Sequence, residues 1–173
     1  MQERKEEVES MMNTNKFENI HKELDFSKYQ STIIREETNC YSHAIGAESP
    51  CRIGGISELK PLGEKYRSKE ELKTLFLEDL KTLGLRVEEI EISSKEDCLL
   101  KIEETDLEEN QHLILLFAIC YRNGIINDFH FWRYDSKEGL SEKYFYQHPN
   151  LLSYPSRSWT SSMKLVGMFR ITR

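Results

Sequence analysis

The chain has 173 residues, of which 38% are hydrophobic and 31% are charged, and its formal net charge is −6. This length suits one domain with its own core, and the acidic balance argues against nucleic acid as the main partner. The N-terminus lacks the apolar stretch of a secretory signal, and the longest apolar run, 113–120, is too short to span a bilayer. We therefore expect a protein that is cytoplasmic as synthesised, with export as an effector or toxin also compatible with its composition.

Residues 1–30 are dense in charge and contain no glycine or proline. This pattern predicts a charged helical arm, available to pack on the domain or to contact a partner protein. Residues 31–173 are predicted to form a single domain.

Two helices are predicted after the arm. Thr38 or Asn39 can cap a helix over 40–47. A loop rich in glycine and proline follows, and Ser68-Lys69-Glu70-Glu71 is a capping box that predicts the start of a longer helix. Apolar residues at helical spacing continue this helix to Leu83.

The second half of the chain is rich in strand-forming residues. Asn123-Gly124 is a strong hairpin signal between two such runs, while 97–104 fits either a helix or a strand. Helices followed by an antiparallel meander predict an α+β domain. The predicted strands are 87–92, 112–121, 126–134, 140–146 and 164–172.

The four cysteines contain no CxxC pair, so we expect no structural zinc site. The histidines show no ligand spacing, and neither a metal nor another cofactor is predicted. Cys98 and Cys120 lie in apolar surroundings and are expected to be buried thiols. A disulfide between Cys40 and Cys51 is an alternative role for Cys40.

Cys40 stands at the start of the first predicted helix, and His130 lies in a predicted strand about ninety residues later. A helix N-terminus lowers the pKa of a thiol, and a nearby imidazole can take its proton. We therefore predict that Cys40 is a nucleophile and His130 its general base. The alternatives are a small buried residue under a helix and a strand histidine satisfied by backbone or water.

A third group is needed to orient the imidazole. Glu142, on the strand after the histidine, can accept the imidazole Nδ1 proton, and Asp128 and Asp135 compete for this role. The oxyanion donor is expected to be the backbone N–H of Cys40. The Asn39 side chain either assists it or caps the helix.

Trp132 belongs to a strand whose two faces are expected to lie in the core and along a cleft. We predict that it contributes to substrate binding. His43, one turn after the cysteine, is expected to be a packing or surface residue rather than the base. Trp159, in a loop rich in serine and threonine, either lines a groove or acts as a hydrophobic anchor.

Four short blocks together resemble papain-like cysteine hydrolases, the superfamily that includes the NlpC/P60 and CHAP amidases. They are most similar to a little-characterised bacterial and phage group with the pattern Asn-Cys-Tyr-x-Tyr-Ala, then Asp-Tyr-His-Phe-Tyr-Arg, then Trp-Ser-His-Lys. That group has histidine where this chain has Glu142. The matching blocks are Asn39–Ile45, Asp128–Asp135, Gly139–Lys143 and Val166–Ile171.

The resemblance implies a papain-like α+β fold, with N-terminal helices packed on an antiparallel sheet. It also implies a cysteine peptidase or amidase that forms a thioester acyl-enzyme on a protein or peptide substrate. Glutamine deamidation and transamidation use the same intermediate and are alternatives. A catalytically inactive binding protein on the same fold is a further alternative.

Overall fold

A computed structural model describes residues 38–47, 51–61, 65–120, 126–144 and 147–173. The arm predicted over 1–30 and the turn predicted at Asn123-Gly124 lie outside these residues. The described helices are α1 (Cys40–Ile45), α2 (Lys69–Thr82), α3 (Lys95–Glu104) and α4 (Pro155–Ser158). The described strands are β1 (Arg86–Ile90), β2 (Gln111–Cys120), β3 (Ile126–Asp135), β4 (Gly139–Glu142), β5 (Asn150–Leu151) and β6 (Met163–Thr172).

The six strands form an antiparallel sheet in the order β1-β6-β2-β3-β4-β5. The predicted α+β class is confirmed. The long strands β2, β3 and β6 form its centre; β2, β3 and β4 pair in chain order, whereas β6 pairs with β1 and β2, which are distant from it in the chain. Among the described helices, none has both the length and the apolar character needed to cross a membrane.

Each face of the sheet carries its own core. Helices α1 and α2 pack on one face, where Tyr41 and Phe76 contact Phe131 of β3. Helix α3 covers the other face, where Cys98 belongs to the same apolar cluster as Trp132. Successive β3 side chains therefore enter opposite cores, as the two-residue period of a strand requires. Helices on both faces explain why β2 reads as an almost continuous apolar run.

The buried carboxylate of Asp79 joins three segments on the α1–α2 side. It accepts hydrogen bonds from the Tyr41 hydroxyl at 2.9 Å, from the Gly54 amide at 2.7 Å, and from the amide and hydroxyl of Ser57 at 2.7 and 2.6 Å. Helix α2 thereby holds both α1 and the loop over 51–60. The loop itself has little regular structure, so these bonds largely define its path.

The structure differs from the local predictions at three places. The ambiguous segment 97–104 lies in helix α3, whose N-cap Ser94 accepts from the Asp97 amide. The strand predicted over 140–146 ends at Glu142, and 145–146 lie outside the described residues. Strand β5 and helix α4 were not predicted, because elements of two and four residues carry no periodic signal.

The cysteines, all of which are described, are free thiols. The alternative disulfide between Cys40 and Cys51 is therefore wrong. Cys98 is fully buried, as predicted, whereas Cys120 is only partly buried.

The buried thiol of Cys98 makes stability sensitive to alkaline pH. Burial raises its pKa from 9.0 to about 12, and the Asp97 carboxylate adds to the rise. The folded chain keeps this proton where the unfolded chain releases it, so the contribution is complete below pH 9 and is lost towards pH 12. Between pH 9 and 12, the free energy of unfolding measured in urea should fall less steeply with pH in Cys98→Ala than in the wild type, by about 1.4 kcal/mol per pH unit. Parallel pH profiles of the two proteins would contradict this.

Candidate active site

A cleft of about 320 Å³ opens at the end of the sheet where β2 finishes and β3 and β6 begin. Cys40 and His130 both line it. The other wall carries the hydroxyl groups of Ser158, Thr160 and Ser162. Both side chains on which the predicted chemistry depends therefore belong to the lining of one cleft.

Cys40 is the first residue of α1, and this helix packs against β3. Its Sγ lies 4.0 Å from the carbonyl oxygen of Phe129, the residue before His130. Strand β4 pairs with β3 only from Trp132 to Asp135. The sulfur therefore occupies a stretch of the β3 edge that β4 does not cover.

Glu142 holds the imidazole of His130. The distance between His130 Nε2 and Glu142 Oε2 is 2.8 Å, and Trp132 Nε1 donates to the same oxygen at 3.0 Å. Register explains the contact, because Glu142 lies opposite Trp132 and the histidine shares that face of β3. The prediction that the carboxylate binds Nδ1 is wrong. With Nε2 bound to Glu142, Nδ1 is the nitrogen left to exchange a proton with a thiol.

Tyr144 and Lys143 complete this side of the cleft. The Tyr144 ring stacks on the His130 ring, with centroids 4.7 Å apart and planes 17° from parallel. Burial raises the pKa of the Tyr144 hydroxyl, and the Glu142 carboxylate contributes in the same direction. Lys143 is buried, and its ammonium donates to the carbonyl of Thr38 at 2.7 Å. The two residues after β4 thus contact the histidine and the chain entering α1.

The Cys40 thiol keeps its proton in the resting structure. Burial raises its pKa from 9.0 to about 12, and the charge of Asp128 adds to this. Backbone amides of Phe131, Tyr41 and Cys40 itself act in the opposite direction. The amides at the start of α1 thus lower the pKa of the thiol, as predicted, but the loss of solvent around the sulfur outweighs them and the net pKa is raised.

The two aspartates proposed as competitors of Glu142 have other partners. Asp128 is exposed and accepts from the amide of Phe129. Asp135 is buried at the β3–β4 turn, where it accepts from the amides of Lys137 and Glu138. Of the three acids, Glu142 is the one bonded to the histidine.

Asn39 lines the cleft beside Cys40, whereas Trp132 lies behind the cleft in the core. The Asn39 side chain caps α1 by accepting from the Ser42 amide, and its NH₂ donates to the Cys51 carbonyl. The capping alternative is therefore confirmed, while the second N–H of the NH₂ group leaves the predicted oxyanion role of Asn39 a prediction. Trp132 is fully buried in the α3-side core, so its predicted role in substrate contact is wrong. Instead, it positions Glu142.

The sequence argument missed Lys143 and Tyr144 as cleft residues. Their position directly after a candidate acid is the one signal that could have identified them. Trp159 is an anchor, as the second alternative predicted, because its ring contacts those of Phe117 and Trp132. His43 is fully buried and pairs with the Ser141 hydroxyl at 3.0 Å, which fits the predicted packing role.

Comparison with known proteins found no match among protein-family models, curated proteins or solved structures. A function therefore has to be argued from the chemistry of the cleft. Its chemical groups are a protonated thiol, an imidazole bonded to a carboxylate, and a wall rich in hydroxyl groups.

Proposed function

We propose that this protein is a cysteine hydrolase of the papain-like type that cleaves an amide or peptide bond. The observation that carries the proposal is the shared cleft of Cys40 and His130, with Glu142 bonded to the far nitrogen of the imidazole. A thiol, a base and a group that orients the base form the minimum set for nucleophilic catalysis.

The first step is attack on the carbonyl carbon. His130 Nδ1 takes the Cys40 proton as the sulfur–carbon bond forms, because the resting thiol is not ionised. The resulting imidazolium donates to Glu142 through Nε2–H, and the carboxylate stabilises its charge. The carbonyl π electrons move to oxygen. The Cys40 amide, at the first position of α1, is the backbone donor available to this oxyanion.

The second step forms and then hydrolyses the acyl-enzyme. The tetrahedral intermediate collapses to a thioester as His130 transfers its proton to the leaving amine. Water then attacks the thioester carbonyl and gives a proton to His130, which returns it to the departing sulfur. The products are an acid and an amine. If the leaving group is ammonia, the same steps deamidate glutamine, and if an amine replaces water they transamidate it.

A binding protein is the second candidate, and the raised pKa of the Cys40 thiol favours it. A thiol with a pKa of about 12 and no effective base would be almost inert at neutral pH. The two candidates thus predict opposite reactivities for the same sulfur.

Alkylation by iodoacetamide at pH 7, followed at each cysteine by peptide mass mapping, separates the two candidates. As a hydrolase, the protein should alkylate at Cys40 at least about 10-fold faster than at the partly buried Cys120, and His130→Ala should abolish this advantage. As a binding protein, it should alkylate at Cys40 about 30–60-fold more slowly than an ordinary thiol, since a pKa about three units higher lowers the thiolate fraction about 1,000-fold and the greater nucleophilicity of that thiolate offsets only part of this. Slower reaction at Cys40 than at Cys120 would overturn the hydrolase proposal.

A further inference from the structure

Asp128 presents an exposed carboxylate to the cleft. One of its oxygens accepts from the neighbouring Phe129 amide at 2.8 Å. In the part of the chain that the structure describes, the carboxylate forms no ion pair. It is therefore a charge that a ligand in the cleft can reach.

The charged side chains of Glu142 and Lys143, which flank and line the cleft, are directed into the protein. Glu142 is bonded to His130 and Trp132, and the buried ammonium of Lys143 donates to backbone carbonyls. The other lining side chains are apolar, aromatic, amide, thiol or hydroxyl groups. Among the described residues that line the cleft, Asp128 therefore carries the charge most accessible to an incoming substrate.

We propose that the substrate carries an ammonium or guanidinium group close to its scissile carbonyl, and that Asp128 binds this group. The inference rests on the proposed hydrolase function. The cleft of about 320 Å³ has room for only a short stretch of peptide, and Asp128 shares it with Cys40. The cation therefore lies within about one or two residues of the bond that is cleaved.

Binding of a cation also favours the chemistry. The negative charge of Asp128 opposes ionisation of the Cys40 thiol. A substrate cation beside the carboxylate offsets this charge, so binding lowers the free energy of the developing thiolate. An anionic group would add a second negative charge and have the opposite effect. A cationic substrate is therefore bound by Asp128 and also favours formation of the attacking Cys40 thiolate.

Charged thiol reagents test this directly. With 2-aminoethyl or 2-sulfonatoethyl methanethiosulfonate, the Cys40 sulfur forms a mixed disulfide and expels methanesulfinate, while its proton passes to His130. We expect the cationic reagent to modify Cys40 at least about fivefold faster than the anionic one, relative to the same ratio for free N-acetylcysteine. Asp128→Asn should remove this preference. It should also speed alkylation of Cys40 by neutral iodoacetamide.

Glu109→Gln is the matched control, because it removes the same charge about 30 Å away, before the opposite end of β2. It should retain the preference of Cys40 for the cationic reagent. Equal rates with both reagents in the wild type, or a preference that survives Asp128→Asn, would overturn the inference. Reaction at Cys120 with none at Cys40 would overturn the hydrolase proposal as well, so the two failures are distinguishable.

Peptidyl fluoromethyl ketones identify the source of the cation. The sulfur displaces fluoride from these probes, so Cys40 labelling is read by mass. Acetyl-lysyl and free-amine norleucyl probes each place a cation near the electrophile, and acetyl-norleucyl is the neutral reference. Faster labelling by the acetyl-lysyl probe supports a basic side chain as the source of the cation. Faster labelling by the free-amine norleucyl probe supports a free α-amino group. No advantage over the reference for either probe would overturn the inference.

Discussion

Replacing Glu142 with glutamine should slow the alkylation of Cys40 at pH 7 by about 100-fold. The carboxylate accepts from His130 Nε2 at 2.8 Å, so it holds the ring with the proton on Nε2 and the lone pair on Nδ1. A glutamine side chain cannot stabilise the imidazolium by charge. Its NH₂ can also donate to Nε2, which would place the ring proton on Nδ1 and leave that nitrogen unable to take the thiol proton.

Trp132→Phe is the matched control for this prediction. It removes the indole N–H that donates to the same Glu142 oxygen at 3.0 Å but keeps an aromatic ring in the core. We expect a loss of about 10-fold or less, because the carboxylate and its bond to the histidine remain. Equal rates for wild type and Glu142→Gln, with both proteins folded by circular dichroism, would show that Glu142 does not support a base.

Asp79→Ala should lower the free energy of unfolding by about 3–5 kcal/mol, a large part of the stability of a typical domain. The carboxylate is fully buried and accepts from the Tyr41 hydroxyl and from the amides of Gly54 and Ser57. Alanine leaves these donors without their acceptor and opens space under the loop. Urea unfolding measured by fluorescence would report the change.

Glu78→Ala provides the comparison on the same helix. Glu78 is partly exposed and pairs with the exposed Lys81 at 3.5 Å one turn later, so its loss should change stability by less than about 0.5 kcal/mol. A loss for Asp79→Ala no larger than that of Glu78→Ala would mean that solvent replaces the buried bonds. The loop would then not depend on helix α2 for its position.

The elements that could be predicted from the sequence are those with local signals. Ser68 caps α2 as the capping box predicts, and its hydroxyl accepts from the Glu71 amide at 3.1 Å. The long strands β2, β3 and β6 are predicted because their apolar and aromatic residues are dense. Asn39 is likewise found as the cap of α1. In each case a few neighbouring residues hold the necessary information.

The features that could not be predicted depend on strand register and burial. Glu142 binds His130 rather than another group because it lies opposite Trp132, and no local pattern states that pairing. The same register draws the tryptophan into the core, where its indole faces the carboxylate instead of the cleft. The raised pKa of the Cys40 thiol likewise depends on contact with β3, which is nearly ninety residues away in the chain.

The early end of β4 determines where the nucleophile can sit. Its ladder with β3 ends at Trp132, and the Cys40 sulfur faces the carbonyl of Phe129 and the amide of Phe131 at that edge. Lengthening β4 by a single pair of residues would place main chain where the sulfur now lies. The proposed reactive centre thus depends on the truncation of a neighbouring strand, and completion of the sheet would remove it while leaving Cys40, His130 and Glu142 unchanged.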